Sequence, residues 1–528
     1  MTWFSLPPLR TGAPPPFVDK AGVEAWLATQ PLANAVLMQG ELADRLESLN
    51  TWKIAPAERY RLLEALRKTV AAIEVESVKR YEHRPLPLSA VEQKALDASC
   101  RLWRELTTGY LHCLRACLDG DASVAEDAAK ICHRAMSAAR LEQLSRYRGG
   151  VAIPGNWWRK LHALLASAEQ LGVEQATVSD RLLTETREST VSGHYAMAIL
   201  LHLCRPGELS RGQFAAVIRW LARWREQASV HASMHEIGKA RCVVVDLSAD
   251  APLHYGETAP AMPRWLLLDP ILGKLKGRIK SLQDGESPEA LKLGAGLPAD
   301  ACIALMQTLY GNLQNPPPPL PAPRDNARSV GVAGSVESAY RLLGGTALAD
   351  EGAPSSVSTR REHEQIAIFG RVVRPDAAAV GEVATESWQV LLETTGEMSL
   401  RRPPGGAGEP RLSCRSLVGV RDVGGCRLGV IRSVVQLEDG SLHALLRLLP
   451  GHGLAMLALG HEKATNRTLR LPAIFLAAVP GAATPASVIV PGGVVGRLSR
   501  LEIGDLPDGL RLGDAIDRGA NFERLRCA

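Results

Sequence analysis

The stretch "NPPPPLPAPRDNARSV", residues 315–330, constrains this chain more than any other, because the hydrophobic period differs on its two sides. Before it, apolar residues recur every three or four positions; after residue 360 they recur every second position. Side chains three or four apart share a helix face, and side chains two apart share a strand face. One helical or one β domain is therefore excluded. The prolines lack backbone donors and favour extended geometry, so the stretch reads as a spacer. The expected layout is a mainly helical region over 1–314, a Pro-rich linker and lead-in over 315–359, and a β-rich region over 360–528.

In the helical region, "PAERYRLLEALRKTVAAIEVESVKRY" with the Ile54 before it sets Ile54, Tyr60, Leu63, Leu66 and Val70 at helical intervals, with Pro56 where a first turn tolerates it. "SAVEQKALDASCRLWRELTTGYLHCLRACL", "WWRKLHALLASAEQLG" and "RGQFAAVIRWLARWREQA" continue the pattern between Gly, Pro and Asp breaks. No fixed repeat period emerges, so a helical bundle or an irregular α-solenoid is expected. Near 241–270, "RCVVVDL" and "RWLLLDP" read as a small strand pair inserted among the helices.

Beyond the linker, "GSVESAYRLLGG" suits one short helix. "QIAIFGRVV", "SWQVLLET", "CRLGVIRSVVQL", "SLHALLRLL", "LRLPAIFLAA" and "ASVIVPG" are strand-like, and "EDGS" is a hairpin signal. This density of short strands predicts an antiparallel β-barrel, with room for two small barrels.

Composition excludes several classes. With 46% hydrophobic residues the chain can bury a large core, and a net charge of +5 over 528 residues, without a basic block, gives no reason to expect a nucleic-acid partner. The ten cysteines include no CxxC pair, which suits free thiols in a reducing compartment and a cytoplasmic location. No apolar run approaches the roughly 20 residues of a membrane span, so no transmembrane segment is expected.

Several polar constellations could carry chemistry. Asp246 and Asp269 follow the inserted strands and read as turn caps rather than as metal ligands. In "HASMHE", His231 and His235 fall on one helical face beside Glu236, but the zincin order needs Glu directly after the first His. His112, Cys113, Cys117, Cys132 and His133 read as core and boundary residues of amphipathic helices. Trp157, Trp158, Trp220 and Trp224 could form a recognition face, though their spacing also suits helix packing. "VGVAGSVES" lacks the lysine of a phosphate loop. No nucleophile, base and oxyanion hole assemble, so neither an enzyme, a metal site nor a cofactor is expected.

The segments "REHEQIAIFGRV", "WQVLLETTGEMSL", "CRLGVIRSVVQLEDGSLHALLRLL" and "LRLGDAIDRGANFERL" together resemble the C-terminal part of proteobacterial proteins with a PilZ-like barrel, the type that binds cyclic di-GMP. Upstream, "LNTWKIAPAERYRLLEALR" and "STVSGHYAMAILLHLCRPGELSRGQ" resemble the helical part of the same group. PilZ domains use an RxxxR segment before the first strand and a [DN]xSxxG segment on later strands. The resemblance implies that "RREHEQIAIFGRVVR" is the first of these, with Arg360 and Arg361 as ligand forks and Arg371 or Arg374 in place of the missing second arginine. Forks of this type pair phosphate and guanine acceptors and stack on bases. "LETTGE" aligns to the second motif with Leu392 at the acidic or amide position, Thr394 at the serine and Glu397 at the glycine. Only the hydroxyl is kept, and Glu397 places negative charge near an anionic ligand.

Arginines abound after the linker, Arg401 and Arg402 among them, whereas Lys463 is the only lysine there. Forks for anion recognition would explain this, and so would a general coding bias toward Arg. The expected protein is a cytoplasmic bacterial signalling adaptor: its PilZ-like module binds, or descends from one that bound, cyclic di-GMP, and its helical region contacts a protein partner. The alternative is a nucleotide-independent docking protein that uses barrel and helices only for protein contacts.

Overall fold

A computed structural model describes residues 4–11, 15–31, 34–316, 318–321, 327–346, 384–405, 410–465, 467–482, 484–504 and 511–527. The chain divides into two compact units, one of residues 1–320 with 435–438, the other of 321–434 with 439–528. Among the described residues no helix is long and apolar enough to cross a membrane.

The first unit is helical: α1 Lys20–Ala28, α2 Ala35–Thr51, α3 Pro56–Ser77, α4 Ala90–Leu118, α5 Ala128–Arg148, α6 Trp157–Gln170, α7 Val191–Leu203, α8 Arg211–Trp224, α9 Asp269–Gln283 and α10 Ala299–Gln314. The starts follow local chemistry. Ser89 and Glu92 form a reciprocal capping box on α4, and Ser210 with Gln213 does the same on α8, satisfying backbone donors that a first turn leaves open. Pro56 sits in the first turn of α3, where its missing donor is harmless. α5 packs against α4 on one side and α7 on another, and it is buried around most of its girth. One continuous apolar cluster joins all ten helices. The unit is a bundle with irregular crossings rather than a repeat array.

Five short strands complete this unit: β1 Val178–Ser179, β2 Glu188–Ser189, β3 Val230–His231, β4 Cys242–Asp246 and β5 Pro263–Leu267. β4 and β5 are the expected antiparallel pair, and β3 adds a third strand on the far side of β5. His231 therefore ends a strand and His235 lies in the 3₁₀ turn Met234–Glu236, so the two do not share a helix face.

The second unit opens with β6 Ser329–Ala333 and α11 Val336–Leu342, inside the stretch read from sequence as linker and lead-in. "VGVA" alternates small apolar residues, and flanking Pro and Gly hide so short a strand in a sequence reading. β7 Glu386–Glu393, β8 Glu397–Arg402, β9 Leu417–Asp422, β10 Gly425–Gln436 and β11 Leu442–Leu448 join β6 in a closed antiparallel barrel of order β10-β11-β8-β7-β6-β9. The described structure thus has the expected α + β class with a C-terminal barrel. The following strands, β12 Gly453–Glu462, β13 Thr468–Leu476, β14 Ser487–Pro491, β15 Leu498–Ile503, β16 Leu512–Arg518 and β17 Phe522–Cys527, form an open six-stranded sheet and not a second barrel. α11 lies between barrel and sheet, its Ala339 and Tyr340 sharing a core with Leu417, Leu428, Ile474 and Phe522. Gly419 permits this approach, since a Cβ there would meet Ala339 at 3.1 Å.

Candidate functional site

Arg360, Arg361, Arg371 and Arg374 lie outside the described residues. Thr394 is described, and it closes the turn between β7 and β8: its amide donates to the Glu397 carbonyl at 2.9 Å and its hydroxyl accepts from the Glu397 amide at 3.0 Å. The strand pairing slips one residue between Val390 and Leu392, so Leu392 points outward and is exposed. Glu397 does not present an unbalanced charge, because Arg432 of β10 forms an ion pair with it.

Other barrel arginines are likewise engaged. Arg402 is buried, donates to Glu386 at 2.9 Å and to the Pro410 carbonyl at 3.2 Å, and stacks over Trp388. Arg401 pairs with Asp439, and Arg427 and Arg328 each pair with Glu393 and Asp422. These forks are satisfied by the barrel's own carboxylates. "VGVAGSVES" is strand β6 followed by Ser335, whose hydroxyl caps α11 by accepting from the Ser338 amide at 3.0 Å.

In the helical unit, Asp246 accepts from the Ser248 amide (2.9 Å) and hydroxyl (2.7 Å) and from the amides of Ala261 (2.9 Å) and Met262 (3.1 Å). Burial works to raise its pKa, but these hydrogen bonds outweigh burial and hold it down at about 2. Asp269 opens α9 and accepts from the Arg241 amide at 3.0 Å. Asp246 thus closes its turn as expected, whereas Asp269 makes no side-chain cap on α9 and instead ties in the chain before β4. His231 Nδ1 lies 2.8 Å from Glu236 and its Nε2 2.7 Å from the Ser229 hydroxyl. Cys113, Cys117 and Cys132 are core residues whose thiols burial pushes up, to about 12, 11 and 12. The four tryptophans pack rather than form a recognition face: all are buried, and the Trp220 indole donates to the Leu293 carbonyl at 3.0 Å.

His133 belongs elsewhere, to a buried polar network that the sequence did not disclose. Asp180, 2% exposed, accepts two bonds from Arg67 at 2.9 and 2.8 Å, one from Arg134 at 3.1 Å and one from the Leu182 amide at 2.9 Å. Burial alone would raise the Asp180 pKa; the bonds from Arg67 and Leu182 and the two guanidinium charges reverse this and lower it. Arg134 also donates to His133 Nδ1 at 2.9 Å, His133 Nε2 meets the Ser189 hydroxyl at 2.6 Å, and that hydroxyl meets His194 Nε2 at 3.1 Å. Arg140 donates from Nε to His194 Nδ1 at 3.2 Å. Since arginine only donates, both imidazoles accept at Nδ1 and carry hydrogen at Nε2. Burial and the adjacent guanidiniums, Arg134 and Arg140 respectively, depress both histidines, His133 to about 3 and His194 well below its ordinary value, so both are neutral.

This network backs a cavity of about 300 Å³ whose α5 wall is made by Arg134, Ser137, Arg140, Leu141, Ser145 and Arg148. α4 contributes Trp103 and Leu106, and the turn after β1 contributes Leu182 and Leu183. Asp180 organises that turn and pairs the arginines with the same carboxylate, an Asx-type arrangement. Arg140 is 6% exposed, and its Nε bond to His194 is its one side-chain hydrogen bond among the described residues. No carboxylate there lies within ion-pair distance of it. Burial lowers its pKa to about 9, with Arg225 and Arg148 adding repulsion, so it remains a cation at neutral pH. The available sequence signal was Arg134, Ser137, Ser145 and Arg148, whose spacing puts them on one face as a polar stripe on a helix that is otherwise Ala-rich.

Fold and site define a two-unit α + β protein, a helical bundle with a buried arginine cavity followed by an antiparallel barrel and sheet. Residues 20–234 match the family model described as the N-terminal domain of the cyclic-di-GMP receptor FimW. Both upstream segments that carried the resemblance, at 49–67 and 189–213, lie within that match, as does every residue of the cavity. No curated protein and no solved structure matches the chain.

Proposed function

We propose that the chain is a cyclic di-GMP receptor acting as a non-catalytic signalling adaptor in the bacterial cytoplasm, with a PilZ-like barrel as the nucleotide module and the helical unit as the part that contacts a protein partner. The observation that carries this reading is the match of residues 20–234 to the N-terminal domain of a protein described as a cyclic-di-GMP receptor. A closed six-stranded antiparallel barrel in the second unit supports it. Arg360 and Arg361 supply the forks for phosphate and guanine, helped by Arg371 or Arg374, and Thr394 supplies the remaining hydroxyl at the β7–β8 turn. The ion pair between Arg432 and Glu397 favours this reading, because it offsets the negative charge that would otherwise repel the ligand.

Competition tests it. A fluorescent cyclic di-GMP analogue bound to the full chain should be displaced by unlabelled cyclic di-GMP and not by GTP; equal displacement by both, or no bound analogue, contradicts the proposal. A second reading, a barrel that serves only as a docking surface, is favoured by the pairing of Arg328, Arg401, Arg402 and Arg427 with the barrel's own carboxylates. Under that reading the analogue does not bind.

A further inference from the structure

The arginine cavity of the helical unit holds an electrostatic imbalance. Of the guanidiniums that line it, Arg67 and Arg134 share Asp180 and Glu64, and Arg148 lies 3.4 Å from Glu82. Arg140 has no carboxylate within ion-pair distance among the described residues, although it is buried, lines the cavity and donates to His194. A charge buried without a counter-charge is strongly unfavourable, and such groups are normally paired. Its two terminal amino groups find no acceptor among the described residues. One helical turn away, Ser137 also lines the cavity, and its hydroxyl has no hydrogen-bond partner among the described residues.

We propose that this cavity is a binding site for a small organic phosphate of mononucleotide size or smaller, held within the helical unit independently of any ligand at the barrel. Three donors on one face of α5, the two amino groups of Arg140 and the Ser137 hydroxyl, suit the several acceptor oxygens of a phosphate. A carboxylate already serves Arg67 and Arg134, so the unanswered charge is that of Arg140 alone. A volume of about 300 Å³ lies at the small end of ligand pockets. Trp103, Leu106, Leu141 and Leu183 give the organic part an apolar surface. Glu74, the other acid on the lining, opposes the proposal least when neutral, and its burial pushes it in that direction against hydrogen bonds from Gln39, Ser99 and Trp103.

The probes are GMP and inorganic phosphate, titrated calorimetrically into the full chain and into Arg140→Gln, Leu182→Trp and a double variant with Arg360→Ala and Arg361→Ala. GMP should bind the parent more tightly than inorganic phosphate does, because only GMP uses the apolar wall. Arg140→Gln should weaken GMP at least tenfold by removing a charge-assisted fork. Leu182 is 36% exposed at the cavity edge and its side chain is outside the polar network, so Leu182→Trp should fold normally and block the cavity. It decides the matter if Arg140→Gln fails to fold. The double variant should bind GMP as the parent does. Absence of GMP binding to the parent up to about 10 mM overturns the proposal, as does phosphate binding without GMP binding. Parent-like GMP affinity in Leu182→Trp, or loss of GMP binding in the double variant, overturns it equally; the latter would place the ligand at the barrel.

Discussion

Asp180→Asn is the most informative perturbation of the helical unit. The carboxylate has side-chain exposure of 1% against 14% for Arg67 and 6% for Arg134, and it bonds to both. Removing its charge leaves two enclosed guanidiniums with Glu64 as their remaining counter-charge, at 3.2 and 3.3 Å. Breaking a buried pair by removing one partner costs about 3–5 kcal/mol, and an Asn side chain can still cap the Leu182 amide, which places the expected loss at about 3 kcal/mol. The pH dependence has a definite sign. Asp180 has a folded pKa below its unfolded value, so its contribution is fully present above the unfolded value near 3.8 and is lost as pH falls through the folded one. The stability gap between parent and variant should therefore narrow in acid. Urea unfolding followed by tryptophan emission reads this unit selectively, since every tryptophan except Trp388 precedes residue 321. A loss below about 1 kcal/mol at pH 7, or a gap that widens on acidification, would refute the electrostatic account.

Three further outcomes follow from particular contacts. Asp246→Ala removes the acceptor of four hydrogen bonds and should destabilise the helical unit by about 1–3 kcal/mol, whereas Asp246→Asn should lose less; chelator should change the melting temperature of neither protein. With its pKa held at about 2, Asp246 stabilises fully above the unfolded value near 3.8 and loses that effect as pH falls toward 2, so parent and Asp246→Ala should converge there in melting temperature. Arg402→Lys removes the guanidinium whose Nη1 donates to both Glu386 and the Pro410 carbonyl, with its stack on Trp388, so the barrel should lose about 1–3 kcal/mol, read by hydrogen–deuterium exchange of the barrel strands.

The sequence disclosed elements wherever local chemistry and burial agree. α4 and α8 carry capping boxes, α3 a proline in its first turn, all three one-sided apolar faces, and β7, β10, β11, β13 and β14 carry alternating branched residues, so all were legible. β12 was not. "GLAMLALGHE" is rich in Ala and Gly and has little intrinsic strand preference, and it is a strand because β13 and β15 pair with it on both sides. The cavity was hidden for a related reason. Arg67, Arg140 and Asp180 are separated by tens of residues, and only the crossing of α3, α5 and the β1 turn brings them to one place. Sequence spacing does disclose the stripe on α5, but a polar stripe normally faces solvent, and here α4 and α7 cover the helix. At the barrel, the abundance of arginine was legible while its pairing with Glu386, Glu393, Asp422 and Asp439 was not, because those partners come from other strands.

Calorimetric titration with cyclic di-GMP tests the central claim most directly. The parent should bind at micromolar or tighter affinity with one barrel site occupied, and Arg360→Ala with Arg361→Ala should weaken binding at least tenfold without loss of folding, each fork contributing roughly 1.5–3 kcal/mol. Glu397→Gly should bind more tightly than the parent, since it removes the anion of the ion pair with Arg432 and shifts the local charge balance toward positive. Silence in both the parent and Glu397→Gly, or parent-like affinity in the double-alanine protein, would contradict the account and leave the barrel as a docking surface.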